Sequence, residues 1–204
     1  MPKVPAEYIE AKRDAIIEAA RHAFFRKGTQ ATTMADIARE VGLTPGALYR
    51  YFPTKGALIS SCFDDTTEEL AQRWKHAPDP SADPLDELGE LATLTFGQLH
   101  RPEERIDTAI HLEHELSMVR EGDAEGLAEA MSGRVEATGA IESRLRAAQE
   151  RGILGPDFDP ALLAEALVSF YWGVRLSHML QPDTDTDGQL RQMLLLMEHA
   201  GKRT

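Results

Sequence analysis

The chain has 204 residues, 42% hydrophobic and 27% charged, the composition of a folded globular protein and not of a disordered or fibrous one. Its longest apolar run, residues 193–197, is far short of the ~20 needed to cross a bilayer. The first residues hold no apolar signal segment, and a single cysteine, Cys62, cannot close an intrachain disulfide; membrane protein, secreted scaffold and metal–thiolate domain are excluded, and a reducing cytoplasm is expected.

The net charge of −12 is unevenly spread. The first sixty residues carry nine Lys/Arg against six acids, so the remainder is more acidic than the whole. Such asymmetry suggests a small module that meets an anionic partner, joined to a larger part with another task.

Residues 8–26 read as a helix, with Ile16, Ile17, Ala20 and Phe24 recurring at helical spacing and Gly28 as its stop. Thr33-Met34-Ala35-Asp36 is a capping-box pattern. Met34, Ile37, Ala38 and Val41 then follow at i, i+3, i+4, i+7, and Gly42 ends this second helix. Thr44-Pro45 starts a third, short helix to about residue 51, since Thr caps and Pro suits the first helical position. Pro53 stops it, and Thr54-Lys55 opens a fourth helix expected to run to about residue 76.

Two short helices around a tight Gly-containing turn form a helix-turn-helix. The apolar stripe of the second helix docks on Ile17, Ala20 and Phe24, and Leu48 anchors the third. The start of the third helix then faces outward, where Thr44, Pro45, Gly46 and Ala47 can approach base edges in a major groove. Tyr49, Tyr51 and Lys55 project hydroxyls and an ammonium suited to phosphate oxygens, and Thr33 lies at a helix start that attracts anions. Arg50 is left unassigned. The packing alternative makes Tyr49 and Tyr51 core aromatics and the cations a solvated face.

The stretch from Thr33 to Leu58, TMADIAREVGLTPGALYRYFPTKGAL, resembles the DNA-binding domain of TetR-family transcriptional regulators. It has the Thr-led helix with Ile-Ala, the Gly-hydrophobic-Thr turn, the Leu-Tyr-x-Tyr-Phe recognition helix and the Lys at the next helix start; Tyr51 stands where many members have His. The stretch covers about an eighth of the chain. It implies an all-α homodimer that binds a double-stranded DNA operator and is released by a small molecule.

Beyond a turn-rich linker at 78–84, helical patterns resume at about 85–100, 103–119, 125–151, 160–181 and 189–201. The expected organisation is a helix-turn-helix domain at 1–54 and an effector-binding and dimerisation domain at 55–204, linked by the helix over 55–76. The candidate dimer face is Leu163, Ala166, Leu167, Phe170, Gly173 and Val174 with Leu190, Met193, Leu194 and Met197, pairing with its own copy in a four-helix bundle. Candidate effector-lining residues are Phe63, Phe96, His100, His111, His114, Met118, Trp172 and His178. His111 with Glu115, or His114 with Met118, shares a helix face, but Met118 stands where the zinc-protease motif needs a second His, so no metal is assigned. No cofactor and no membrane partner are expected. The competing reading is a small-molecule-binding or metal-dependent helical-bundle enzyme; it lacks a nucleophile elbow, a phosphate loop and a dinucleotide fingerprint.

Overall fold

A computed structural model describes residues 6–62 and 68–201. These residues form eleven α-helices and one turn of 3₁₀ helix at Gln98–His100, with no strand among them. In chain order the helices are α1 (Ala6–Lys27), α2 (Met34–Glu40), α3 (Pro45–Tyr51), α4 (Lys55–Ser61), α5 (Glu68–Lys75), α6 (Pro84–Gly97), α7 (Glu104–Glu121), α8 (Ala124–Ala130), α9 (Ser132–Glu150), α10 (Pro160–Leu180) and α11 (Thr186–Gly201). They fall into two compact units, one of residues 1–65 with 106–130 and one of residues 66–105 with 131–204.

In the first unit, α1 presents Ile16, Ala20 and Phe24 to Met34, Ile37 and Ala38 of α2 and Leu48 of α3, with Phe52, Leu58, Ile59 and Cys62 closing the core. Each large aliphatic or aromatic side chain among them, fully buried, favours the fold by about 1.5–3 kcal/mol over its exposed state. The ends of α2 are defined locally. Thr33 Oγ1 accepts from Asp36 N while Asp36 Oδ2 accepts from Thr33 N, closing both arms of the capping box. At the other end Gly42 sits at φ +66°, and Leu43 N donates to Ala38 O and Gly42 N to Arg39 O, a Schellman closure. Thr44 and Thr54 cap α3 and α4 by accepting from Ala47 N and Ala57 N.

The boundary expected at residue 54 differs from this division. Leu58 and Ile59 pack α4 into the first core, and Ile110 of α7 joins them. The helix expected over 55–76 is helical at Lys55–Ser61 and Glu68–Lys75; the residues between, Phe63 among them, lie outside the described residues.

In the second unit one core gathers Leu88, Ile141, Leu145, Ala148, Leu154 and Ala164, and another Phe96, Leu99, Val174 and Leu190. Arg144 is wholly buried. Its guanidinium donates to Glu87 Oε1 at 2.8 and 3.1 Å and to the backbone carbonyls of Arg73, His76 and Ala140, joining α5, α6 and α9. The helix expected over 125–151 breaks at Met131, and the last helix begins at Thr186, earlier than expected, because Asp185 Oδ1 accepts from Gly188 N.

Candidate nucleic-acid interface

The turn after α2 brings the N-terminal end of α3 to the surface. Leu48 is buried beneath it, while Thr44, Pro45 and Gly46 are exposed. A side chain at Gly46 would meet nothing within 4 Å, so the helix start is open to close approach. Tyr49 and Arg50 are exposed on the same helix, and Tyr51 is half-buried against the core. Thr33 is exposed at the start of α2, though its hydroxyl is engaged with Asp36. Those hydrogen bonds, the side-chain one first, hold the Asp36 carboxyl below its ordinary range, with Lys27 and Arg39 adding to the effect. The sequence-selected residues Thr33, Thr44, Pro45, Gly46, Tyr49, Tyr51 and Lys55 therefore lie in the first unit, most of them exposed.

Lys55 sits in a more crowded place than its position at a helix start suggested. Its Nζ donates to Gln30 O at 3.4 Å, and Gln30 Nε2 in turn donates to Glu121 Oε1 at 3.1 Å. Partial burial lowers the Lys55 pKa, and the Glu113 and Glu121 carboxylates oppose that shift.

The positive balance of the first sixty residues shrinks once partners are assigned. Arg21 is buried, donating to Asp107 Oδ1 and to Cys62 O. Arg26 pairs with Glu40 and Arg39 with Asp36. Lys12 and Arg13 donate to Val41 O and Tyr51 O. Lys27 and Arg50 form no hydrogen bond or ion pair among the described residues. Arg50, exposed on α3, is thus the cation sequence reasoning left aside, and its place one residue from Tyr49 on an exposed face was the signal available.

The described candidate effector residues are divided between the two units. Phe96 stacks 6.0 Å from Phe170 and lies edge-on 5.3 Å from Tyr171, whose ring neighbours Trp172. The guanidiniums of Arg134 and Arg175 lie 4.2 and 5.0 Å from the Trp172 ring, and Arg175 also pairs with buried Glu104. Burial raises the Tyr171 phenol pKa, with Arg175 opposing it. His178 has a buried Nδ1 without a hydrogen-bond partner among the described residues. His100, by contrast, is exposed, 3.0 Å from Asp187. His111, His114 and Met118 belong to the first unit, where His111 lies 3.1 Å from Glu115. An open groove of about 550 Å³ on α10 and α11 and a smaller one of about 330 Å³ on α6 and α11 are lined by none of the seven described candidates.

Most residues of the candidate dimer face turn toward the cores of their own unit. Val174 and Leu190 are buried in their own unit, and Leu163, Leu167, Phe170, Leu194 and Met197 are partly buried against its cores. Met193 is half-buried, and only Ala166 and Gly173 of the expected set are exposed. The exposed stripe of α10 is instead Leu162, Ala166, Ser169, Gly173, Leu176 and Leu180, spaced 4, 3, 4, 3, 4, with Leu162 63% and Leu180 67% exposed. Leu195 and Leu196 are exposed on α11.

The profile described as Bacterial regulatory proteins, tetR family, matches residues 16–62. The chain is 30% identical over 186 residues to the probable HTH-type transcriptional regulator ArpR of Pseudomonas putida, and 29% identical over 183 residues to the HTH-type transcriptional regulator TtgR of the same species. Each alignment spans 87% of this chain and 85% of the relative. Among solved structures, the SmeT–triclosan complex is 26% identical, with a TM-score of 0.75 over 91% of this chain and 90% of that one. The fold and the exposed α3 define a helix-turn-helix transcriptional regulator that binds DNA. The chain belongs to the tetR family of bacterial regulatory proteins. The similar proteins named here are regulators, and no helix among the described residues is long and apolar enough to cross a membrane.

Proposed function

We propose that the chain is a homodimeric repressor that holds a palindromic operator through two copies of α3 and leaves it when a small molecule binds the second unit. The observation that carries this reading is the open start of α3: Thr44, Pro45 and Gly46 exposed above a buried Leu48, with Tyr49 and Arg50 exposed beside them. Thr44, Pro45 and Gly46 face base edges. Thr33, Tyr49, Arg50, Tyr51 and Lys55 hold phosphate oxygens and fix the register, which carries no sequence information by itself. The exposed stripe of α10 with Leu195 and Leu196 of α11 supplies the dimer contact, and the Phe96, Trp172 and His178 region lies in the unit assigned to the effector. The SmeT structure is a complex with triclosan, which supports a ligand-responsive reading.

The test begins with a palindromic duplex selected by the protein from a random pool. Lys55→Ala and Arg50→Ala should weaken binding to the selected duplex and to a scrambled one alike. Each should lower the slope of log affinity against log salt by about 0.9. Variants that bind both duplexes as the unaltered protein does would remove these residues from the interface.

A further inference from the structure

Two consecutive cations of α1 each reach the C-terminal end of a different helix of the helix-turn-helix. Lys12 Nζ donates to Val41 O, on the residue that ends α2, at 3.2 Å. Arg13 Nη1 donates to Tyr51 O, on the last residue of α3, at 3.1 Å, and its guanidinium lies 4.4 Å from the ring of buried Phe52. Both side chains are half-buried and sit one turn before Ile16, so they extend the face that carries Ile16 and Ala20 into the core. Both precede the stretch that matches the family profile.

The chemistry of a helix end suits them. The last carbonyls of a helix have no partner within it and carry partial negative charge, which a cationic donor offsets. α2 and α3 are seven residues each, too short to persist alone, so their direction depends on what holds their ends. Their N-terminal ends are held by neighbours in sequence, Thr33 with Asp36 and Thr44 with Ala47. At their C-terminal ends, where Gly42 already closes α2 locally, donors also reach in from 29 and 38 residues away. Because the two holding residues are adjacent on one long helix, they couple the position of α2 to that of α3.

We infer that Lys12 and Arg13 are positioning residues for DNA recognition: they aim α3 by fixing the C-terminal ends of both helices, and they do not themselves bind phosphate. This rests on the assignment of α3 as the recognition helix. A phosphate contact and an aiming contact differ in what they change. Loss of a phosphate contact weakens all duplexes equally and lowers the salt slope, whereas loss of aim leaves non-specific attraction intact and erodes discrimination.

The experiment measures affinity for the selected and the scrambled duplex across a salt series, using the full chain and the variants Arg13→Met, Lys12→Met and Arg13→Lys. Arg13→Met is expected to lower the ratio of selected to scrambled affinity roughly tenfold, the scale of one mismatched base pair. The salt slope and the scrambled-duplex affinity stay unchanged, and Arg13→Lys, which keeps the cation and a donor, restores most of the ratio. Lys12→Met, which removes a single hydrogen bond, gives the same pattern more weakly and supplies the answer if Arg13→Met does not fold. A slope lowered by about 0.9 with both duplexes weakened alike would make these residues phosphate contacts and overturn the inference. A folded variant with reduced thermal stability but an unchanged ratio would overturn it equally, as a structural role only. If the unaltered protein selects no duplex at all, it is the functional reading that fails.

Discussion

In the first unit, helices two turns long are defined at their ends by Thr33, Asp36, Thr44 and Thr54 and by cations reaching from α1. In the second, the 21-residue α10 packs one face on two cores and leaves a stripe of leucine and small residues exposed along its length. Short helices held by caps can present their own backbone ends and small side chains to a partner, which suits reading base edges. A long helix with an uncovered apolar stripe offers area instead, which suits pairing with a copy of itself. Each unit also has a buried guanidinium lock: Arg21 donates to Asp107 and Cys62 O in the first, and in the second Arg144 joins three helices.

The sharpest way to break that contrast is to remove the second unit's buried lock. Arg144→Ala leaves Glu87 facing an empty site and frees three carbonyls, and should destabilise the second unit by about 3–5 kcal/mol in urea denaturation followed by circular dichroism. A loss below about 1 kcal/mol would show that water replaces the guanidinium at little cost.

Two glycines sharpen the account of the first unit. Gly28 and Gly42 both have positive φ, so alanine at either costs about 1–2 kcal/mol for the left-handed backbone. At Gly28 the added carbon would also lie 2.8 Å from Glu113 Oε1, the oxygen that accepts from Thr29 N, whereas at Gly42 nothing lies within 4 Å. Gly28→Ala should therefore be the more destabilising in thermal denaturation, and equal losses would mean that Glu113 swings away freely. Thr44→Ala removes the cap of α3 and should cost about 1 kcal/mol while lowering operator affinity.

The smallest effect is on pH dependence. Burial, with His111 and Lys55 nearby, holds the His114 pKa below its ordinary value against the pull of Glu115 and Glu121. The unfolded chain then takes up a proton that the folded chain refuses, so stability falls as pH drops through about 6.5. His114→Gln should flatten that part of the stability–pH curve; an unchanged curve would place the dependence on other groups.

The helix ends of the first unit were legible in the sequence because caps are local: Thr33-x-x-Asp36, Gly42 and Thr44-Pro45 each act within a few residues. What spacing could not show depended on packing. α10 carries two adjacent stripes, Leu163/Leu167/Phe170/Val174 and Leu162/Ala166/Gly173/Leu176, and spacing alone does not say which turns inward. Counting cations likewise could not show that Arg21 is buried against Asp107, or that Lys12 and Arg13 end helices nearly thirty and forty residues away. The break at Met131 was missed because residues 125–151 hold no proline there.

In the proposed dimer, two copies of the cap-built module meet one operator because a face on the other unit pairs with its own copy. Hydroxyl-radical footprinting of the selected duplex, with the unaltered protein and with Leu176→Glu on the exposed α10 stripe, tests it most directly. Two protected patches about 34–36 Å apart, one helical turn, are expected, and both are lost in the variant as it becomes monomeric. A single patch, or two patches retained by a monomeric Leu176→Glu protein, would contradict it.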